Sequence, residues 1–89
     1  MLYPFMTLED DTEIIHSEMD ENGNVKVCVE KPVEGGFHSA TCSLPDMRWT
    51  AVNGFTPSEI AAYHELILRG KDLIMRYAQN GGFENASGF

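Results

Sequence analysis

Positive charge is what this 89-residue chain has least of. Six Lys and Arg stand against fourteen Asp and Glu, a formal net charge of −8 with a pI near 4.6. Nucleic acid and anionic membranes are held through basic patches, so direct contact with either is not expected. Long apolar runs are missing too: no stretch approaches the ~18 consecutive apolar residues that a membrane-crossing helix requires. The opening Met1-Leu2-Tyr3-Pro4-Phe5 has no cationic lead and runs into acids, unlike a secretory signal, so a cytoplasmic location is expected. Cysteine is limited to Cys28 and Cys42. Two thiols make no disulfide framework, and with His16, His38 and His64 they show no zinc-ligand spacing. The run Glu9-Asp10-Asp11-Thr12-Glu13 lacks the spacing of a calcium loop and reads as turn chemistry. A nucleophile elbow, a phosphate-binding glycine loop and a catalytic carboxylate pair are all missing around Cys28, Ser39, His16 and His38. No metal, no cofactor and no catalytic role are therefore expected.

What is present suffices for one folded domain. Hydrophobic residues make up 43% of the chain and aromatic residues 10%, unlike the composition of a disordered segment. The expected division is a single domain over residues 1–81 and a short Gly-rich tail over 82–89. A chain this small buries ~60–65% of its unfolded surface, which favours a partner or a homo-oligomer. Residues 1–23 hold seven carboxylates and no Lys or Arg. That balance suits a basic protein partner, and serves equally as a plain solubilising charge.

The upstream part reads as strands and turns. Leu2–Leu8 is rich in aromatic and apolar residues, and Pro4 confines it to an edge or a strand start. Thr12–Met19 follows, although Ile14-Ile15 leaves its inward face open. Asn22-Gly23 is a short hairpin signal. In Val25–Lys31, Val25, Val27 and Val29 alternate with polar neighbours and Cys28, the pattern of a strand buried on one face. Phe37–Leu44 repeats it with Ala40, Cys42 and Leu44, and Met47–Val52 makes a short fifth strand around Trp49.

Residues 56–81 read as one helix of about 23 residues. Thr56 and Glu59 form a capping box, Pro57 takes the first helical position, and Phe55 with Ile60 closes a hydrophobic staple. Asn80-Gly81-Gly82 is the expected stop. Ile60, Ile67 and Ile74, flanked by Tyr63, Leu66, Gly70, Leu73 and Tyr77, form the stripe that faces the sheet. Glu65–Arg69 and Asp72–Arg76 are i,i+4 pairs for the outer face. The fold expected is α+β: an antiparallel meander of four to five strands, followed by one long C-terminal helix packed on one face.

Leu68 and Met75 fall outside that division, about 100° from the Ile row. With Ala61, His64 and Gly70 they form a candidate interface, for self-association or for a partner. Gly70 costs roughly 1 kcal/mol of helix propensity, which a close approach to a strand or another helix would justify. For the strand 25–31 and strand 37–44 hairpin, a three-residue loop would set Cys28 opposite Cys42 but waste the valine pattern. A two-residue Gly35-Gly36 loop pairs Val29 with Cys42 and Val27 with Leu44, and is the expected register, with no disulfide.

Val25–Lys31, the acidic Gly-Gly-aromatic turn Glu34-Gly35-Gly36-Phe37, a second strand and Leu44-Pro45 ahead of a capped helix resemble the small domain of HicB-like antitoxins. The likeness covers about residues 25–80. It implies an acidic, often oligomeric domain that neutralises a small basic ribonuclease toxin. Asp46 stands where that family usually has Gly, residues 1–23 have no counterpart, and no DNA-binding segment follows the helix. The reading is a small acidic protein-interaction domain, antitoxin-like in its most concrete form. The alternatives are an enzyme or ligand-binding subunit with a pocket between helix and sheet, edged by His38 or Cys42, and a structural homodimer.

Overall fold

The computed structural model describes residues 1–79. Five strands run β1 (Leu2–Thr7), β2 (Glu13–Ser17), β3 (Val25–Val33), β4 (Gly36–Leu44) and β5 (Arg48–Asn53), and one helix, α1, spans Pro57–Gln79. The sheet order follows the chain order and every pair is antiparallel, so the sheet is a five-stranded meander. The α+β meander with a C-terminal helix expected from the sequence is what the chain adopts. The expected stop at residues 80–82 and the tail at 82–89 lie outside the described residues.

Period-two alternation decides which sheet face the helix covers. Ile14, Val25, Val27, Val29, Ala40, Cys42 and Leu44 point inward and are all at most 2% exposed. Ile14 rather than Ile15 is the inward member of its pair. Against them α1 lays Tyr63, Ile67, Ile74 and Ala78, its buried positions at helical spacing. Leu73, placed on this stripe by sequence, is 36% exposed instead.

Two turns differ from expectation. Strands β3 and β4 pair Val27 with Cys42, Val29 with Ala40 and Val25 with Leu44, and close at Val33 opposite Gly36. The loop is therefore Glu34-Gly35, shifted from the expected Gly35-Gly36 by two residues in pairing. A two-residue shift keeps every side chain on its face, so the valine pattern cannot distinguish the two registers. Cys28 faces Thr41 on the outer side while Cys42 is buried, and both are free thiols. Asn22-Gly23 is no two-residue hairpin either. The connection from Ser17 to Val25 is longer, and Asp20 organises it by accepting the backbone N–H groups of Asn22 and Asn24, each at 2.9 Å.

The start of α1 follows its residues closely. The Thr56 N–H donates to Glu59 Oε1 at 2.8 Å, and the Glu59 N–H to Thr56 Oγ1 at 3.2 Å. Phe55 is buried and Ile60 packs against the core, completing the staple. Hydrogen bonding from Thr56 holds the Glu59 carboxyl below its ordinary range, with Lys31 and His38 adding attraction. Lys31 Nζ lies 3.9 Å from Glu59 and 3.6 Å from Asp10, linking the helix start to the β1–β2 turn. The expected Glu65–Arg69 and Asp72–Arg76 pairs are not closed as ion pairs among the described residues.

The helix crosses the sheet obliquely. Its first half lies by β4 and β5, where His38 meets Phe55 edge-on at 5.6 Å and Phe55 meets Tyr63 at 5.1 Å. Gly54, at φ 91°, passes so close to the His38 ring that any Cβ there would collide with it. The second half lies by β1 and β2. There the Phe5 ring sits where a Cβ on Gly70 would be 3.0 Å from its Cζ, and Phe5 also meets Tyr77. The Met19 N–H reaches the Ala78 carbonyl at 3.3 Å.

Candidate functional site

Along the β5 side of α1 runs an apolar groove of about 670 Å³. Its floor and one wall come from Trp49 and Val52 of β5 and Phe55 of the connection. The other wall is a second helical stripe, Pro57, Ala61, His64 and Leu68, with Ile60 and Glu65 beside it. These positions repeat every three to four residues, next to the buried stripe rather than on it. Leu68 is 46% exposed and Val52 43% exposed, so both lips of the groove present apolar surface to solvent.

A backbone irregularity builds the sheet wall. Trp49 and Val52 are three residues apart, a spacing that places them on opposite faces of a regular strand. The β4–β5 ladder is interrupted between Thr41 opposite Thr50 and Ser39 opposite Asn53. Ala51 fills the extra position with φ 53°, and the Asn53 side-chain amide donates to its carbonyl at 3.3 Å. That bulge brings Val52 round to the helix side beside Trp49. A left-handed conformation costs a non-glycine residue about 1–2 kcal/mol, so the strain sits at the one residue that shapes the groove.

The polar contact inside the groove is specific. The Trp49 indole Nε1–H donates to His64 Nδ1 at 3.0 Å. Indole only donates, so Nδ1 must be the unprotonated nitrogen, which leaves the imidazole's single N–H on Nε2. Glu65 contributes the single carboxylate among the described residues that line the groove. The site thus offers an apolar trough, one neutral donor and one anionic acceptor.

The residues singled out from sequence separate here. Ala61, His64 and Leu68 come together in one wall of the groove. Met75 packs partly buried against the core, and Gly70 accommodates the Phe5 ring, a close approach to a strand. Neither His38 nor Cys42 is among the described residues that line the groove. His38 sits under Gly54 and Phe55, and Cys42 is fully buried, its thiol pushed up to about 11 by burial and, less, by the charge of Asp46. Trp49 and Val52 were missed as site residues, since nothing in Arg48–Asn53 signals a bulge at an alanine. His16, read as an ordinary strand residue, is fully buried under Tyr3; its Nδ1 bonds the Ser17 carbonyl at 2.9 Å and its Nε2 has no partner among the described residues.

Much of the acidic surface lies on the turns flanking β2, one of which reaches the helix start through Asp10, Lys31 and Glu59. Among the described residues no helix is long and apolar enough to cross a membrane. Compared with models of known protein families, with curated proteins and with solved structures, the chain matches none.

Proposed function

We propose that this chain is a small acidic protein-interaction domain whose contact face is the groove between β5 and α1. The exposed apolar lips Val52 and Leu68 over a Trp49-lined trough carry this reading. Solvent-exposed apolar surface that is continuous and shaped is a mark of recognition, whereas scattered single side chains are not. The net charge of −8 favours a basic partner over a second copy, since two such chains repel one another. In its most concrete form the domain neutralises a basic toxin, as the resemblance of residues 25–80 to HicB-like antitoxins implies, in the cytoplasm, where its two thiols stay reduced.

Affinity capture from native extract tests this. A basic protein is expected on the column, released by raised salt because long-range charge attraction is screened. Recovery of the bait alone, as a monomer, contradicts it. A ligand-binding reading draws on the same groove. Its volume falls within the ~300–1,000 Å³ of small-molecule sites, with His64 Nε2–H and Glu65 as orienting groups. Light scattering of the purified chain tests the self-association expected from its size: a dimer supports it and a monomer at all concentrations opposes it.

A further inference from the structure

We propose that β5 accepts a sixth strand: an extended peptide segment of the partner, with alternating apolar side chains and a Lys or Arg, pairs with the edge of β5 that no described strand occupies, while its side chains fill the groove. This rests on the interaction reading above and names how the partner is held. Strand addition to an exposed sheet edge takes affinity from main-chain hydrogen bonds and specificity from pockets for alternate side chains. Among the described residues the sheet has two edges, β1 and β5. Strand β1 carries Pro4, which has no N–H to offer, and a ladder irregularity at Phe5. Strand β5 carries no proline, and of its six residues only Trp49 is partly buried.

The groove fits such a segment in length and chemistry. From Pro57 to Leu68 its helical wall extends about 16 Å at 1.5 Å per residue, the span of about five residues of strand. An incoming strand lies between β5 and that wall, so every second side chain points into the trough lined by Trp49, Val52, Ala61 and Leu68. His64 Nε2–H meets a carbonyl or hydroxyl oxygen. Glu65 pairs with a cation, which like the overall charge of −8 selects a basic segment over another copy of this chain. The bulge at Ala51 has its place in this arrangement: it sets Val52 in the groove and leaves Arg48–Thr50 as regular strand to be paired.

Panning a phage-displayed library of random ten-residue peptides on the full chain tests the proposal. Enriched peptides are expected to alternate apolar residues around a Lys or Arg, and their synthetic copies to change the fluorescence of Trp49, the chain's single tryptophan. Methylating alternate backbone nitrogens of the peptide should weaken binding at least about tenfold, as should Val52→Asp or Leu68→Glu. Both residues are exposed, and circular dichroism of each variant verifies that the fold is kept; Val52→Asp serves if Leu68→Glu unfolds. The proposal is overturned if no peptide is enriched, if the peptides show helical spacing and ignore methylation, or if both folded variants bind unchanged. A basic partner captured from extract alongside failed panning removes strand addition alone; failure of both removes the interaction reading as well.

Discussion

Cys42 and Cys28 differ by one position in the pleat, and that difference decides their chemistry. Cys42 points into the core with no exposed surface, and burial raises its thiol to about 11, so the nucleophilic thiolate is scarce at neutral pH. Cys28 lies on the outer face, half-buried, with its Sγ 3.9 Å from Thr41 Oγ1. Iodoacetamide at pH 8 is expected to modify Cys28 in the native chain and Cys42 only after denaturation, as read by peptide mass spectrometry. Equal labelling of both in the native chain contradicts the placement. This inward–outward choice was legible in the sequence, because Val25, Val27 and Val29 demand a buried face and the pleat then fixes which cysteine shares it. The strain at Ala51 was not legible. Alanine prefers other conformations, and only the geometry of the β4–β5 ladder compels it to a φ of 53°.

Among the elements, α1 carries its own start signal and little information about its neighbours. Truncating Thr56 to Ala should cost about 1 kcal/mol of stability in denaturant titration, the ordinary value of a lost N-cap. The Glu59 half of the box depends on pH. Its folded-state pKa is depressed, so its contribution is complete above the ordinary glutamate value of 4.5 and is lost as pH falls through the lower folded value. The stability difference between wild type and Glu59→Gln is therefore expected to be constant near neutrality and to close below pH 4.5; a constant difference down to strong acid contradicts it. Gly70 poses the opposite problem, since helix propensity favours Ala there by roughly 1 kcal/mol while the Phe5 ring occupies the space. Gly70→Ala should stabilise the chain more in a Phe5→Ala background than in wild type, and equal effects in both show that the ring exerts no pressure. The capping box was readable because both of its bonds are local. The contact between Gly70 and Phe5 spans the chain, and only the oblique crossing of helix and sheet brings the two together.

For the whole molecule, one helix serves two surfaces. Its inner stripe, Tyr63, Ile67, Ile74 and Ala78, closes the core, and its adjoining stripe, Ala61, His64 and Leu68, walls the groove beside β5. Periodicity located the second stripe, because Leu68 stands where a solvated face should be polar. It gave no account of the opposing wall, which depends on a bulge that displaces Val52, and it extended the stripe to Met75, which packs partly buried against the core. Those two outlying residues now have different expected behaviour. Met75→Glu places a charge against the core and should lower the unfolding midpoint, whereas Leu68→Glu alters an exposed lip and should leave it nearly unchanged. The central claim, that the β5–α1 groove is the contact face, is tested most directly by capture from native extract on wild-type and Leu68→Glu columns in parallel. Both chains are first shown to melt alike. A basic protein retained by wild type and lost from Leu68→Glu is the predicted result; the same protein retained equally by both contradicts it.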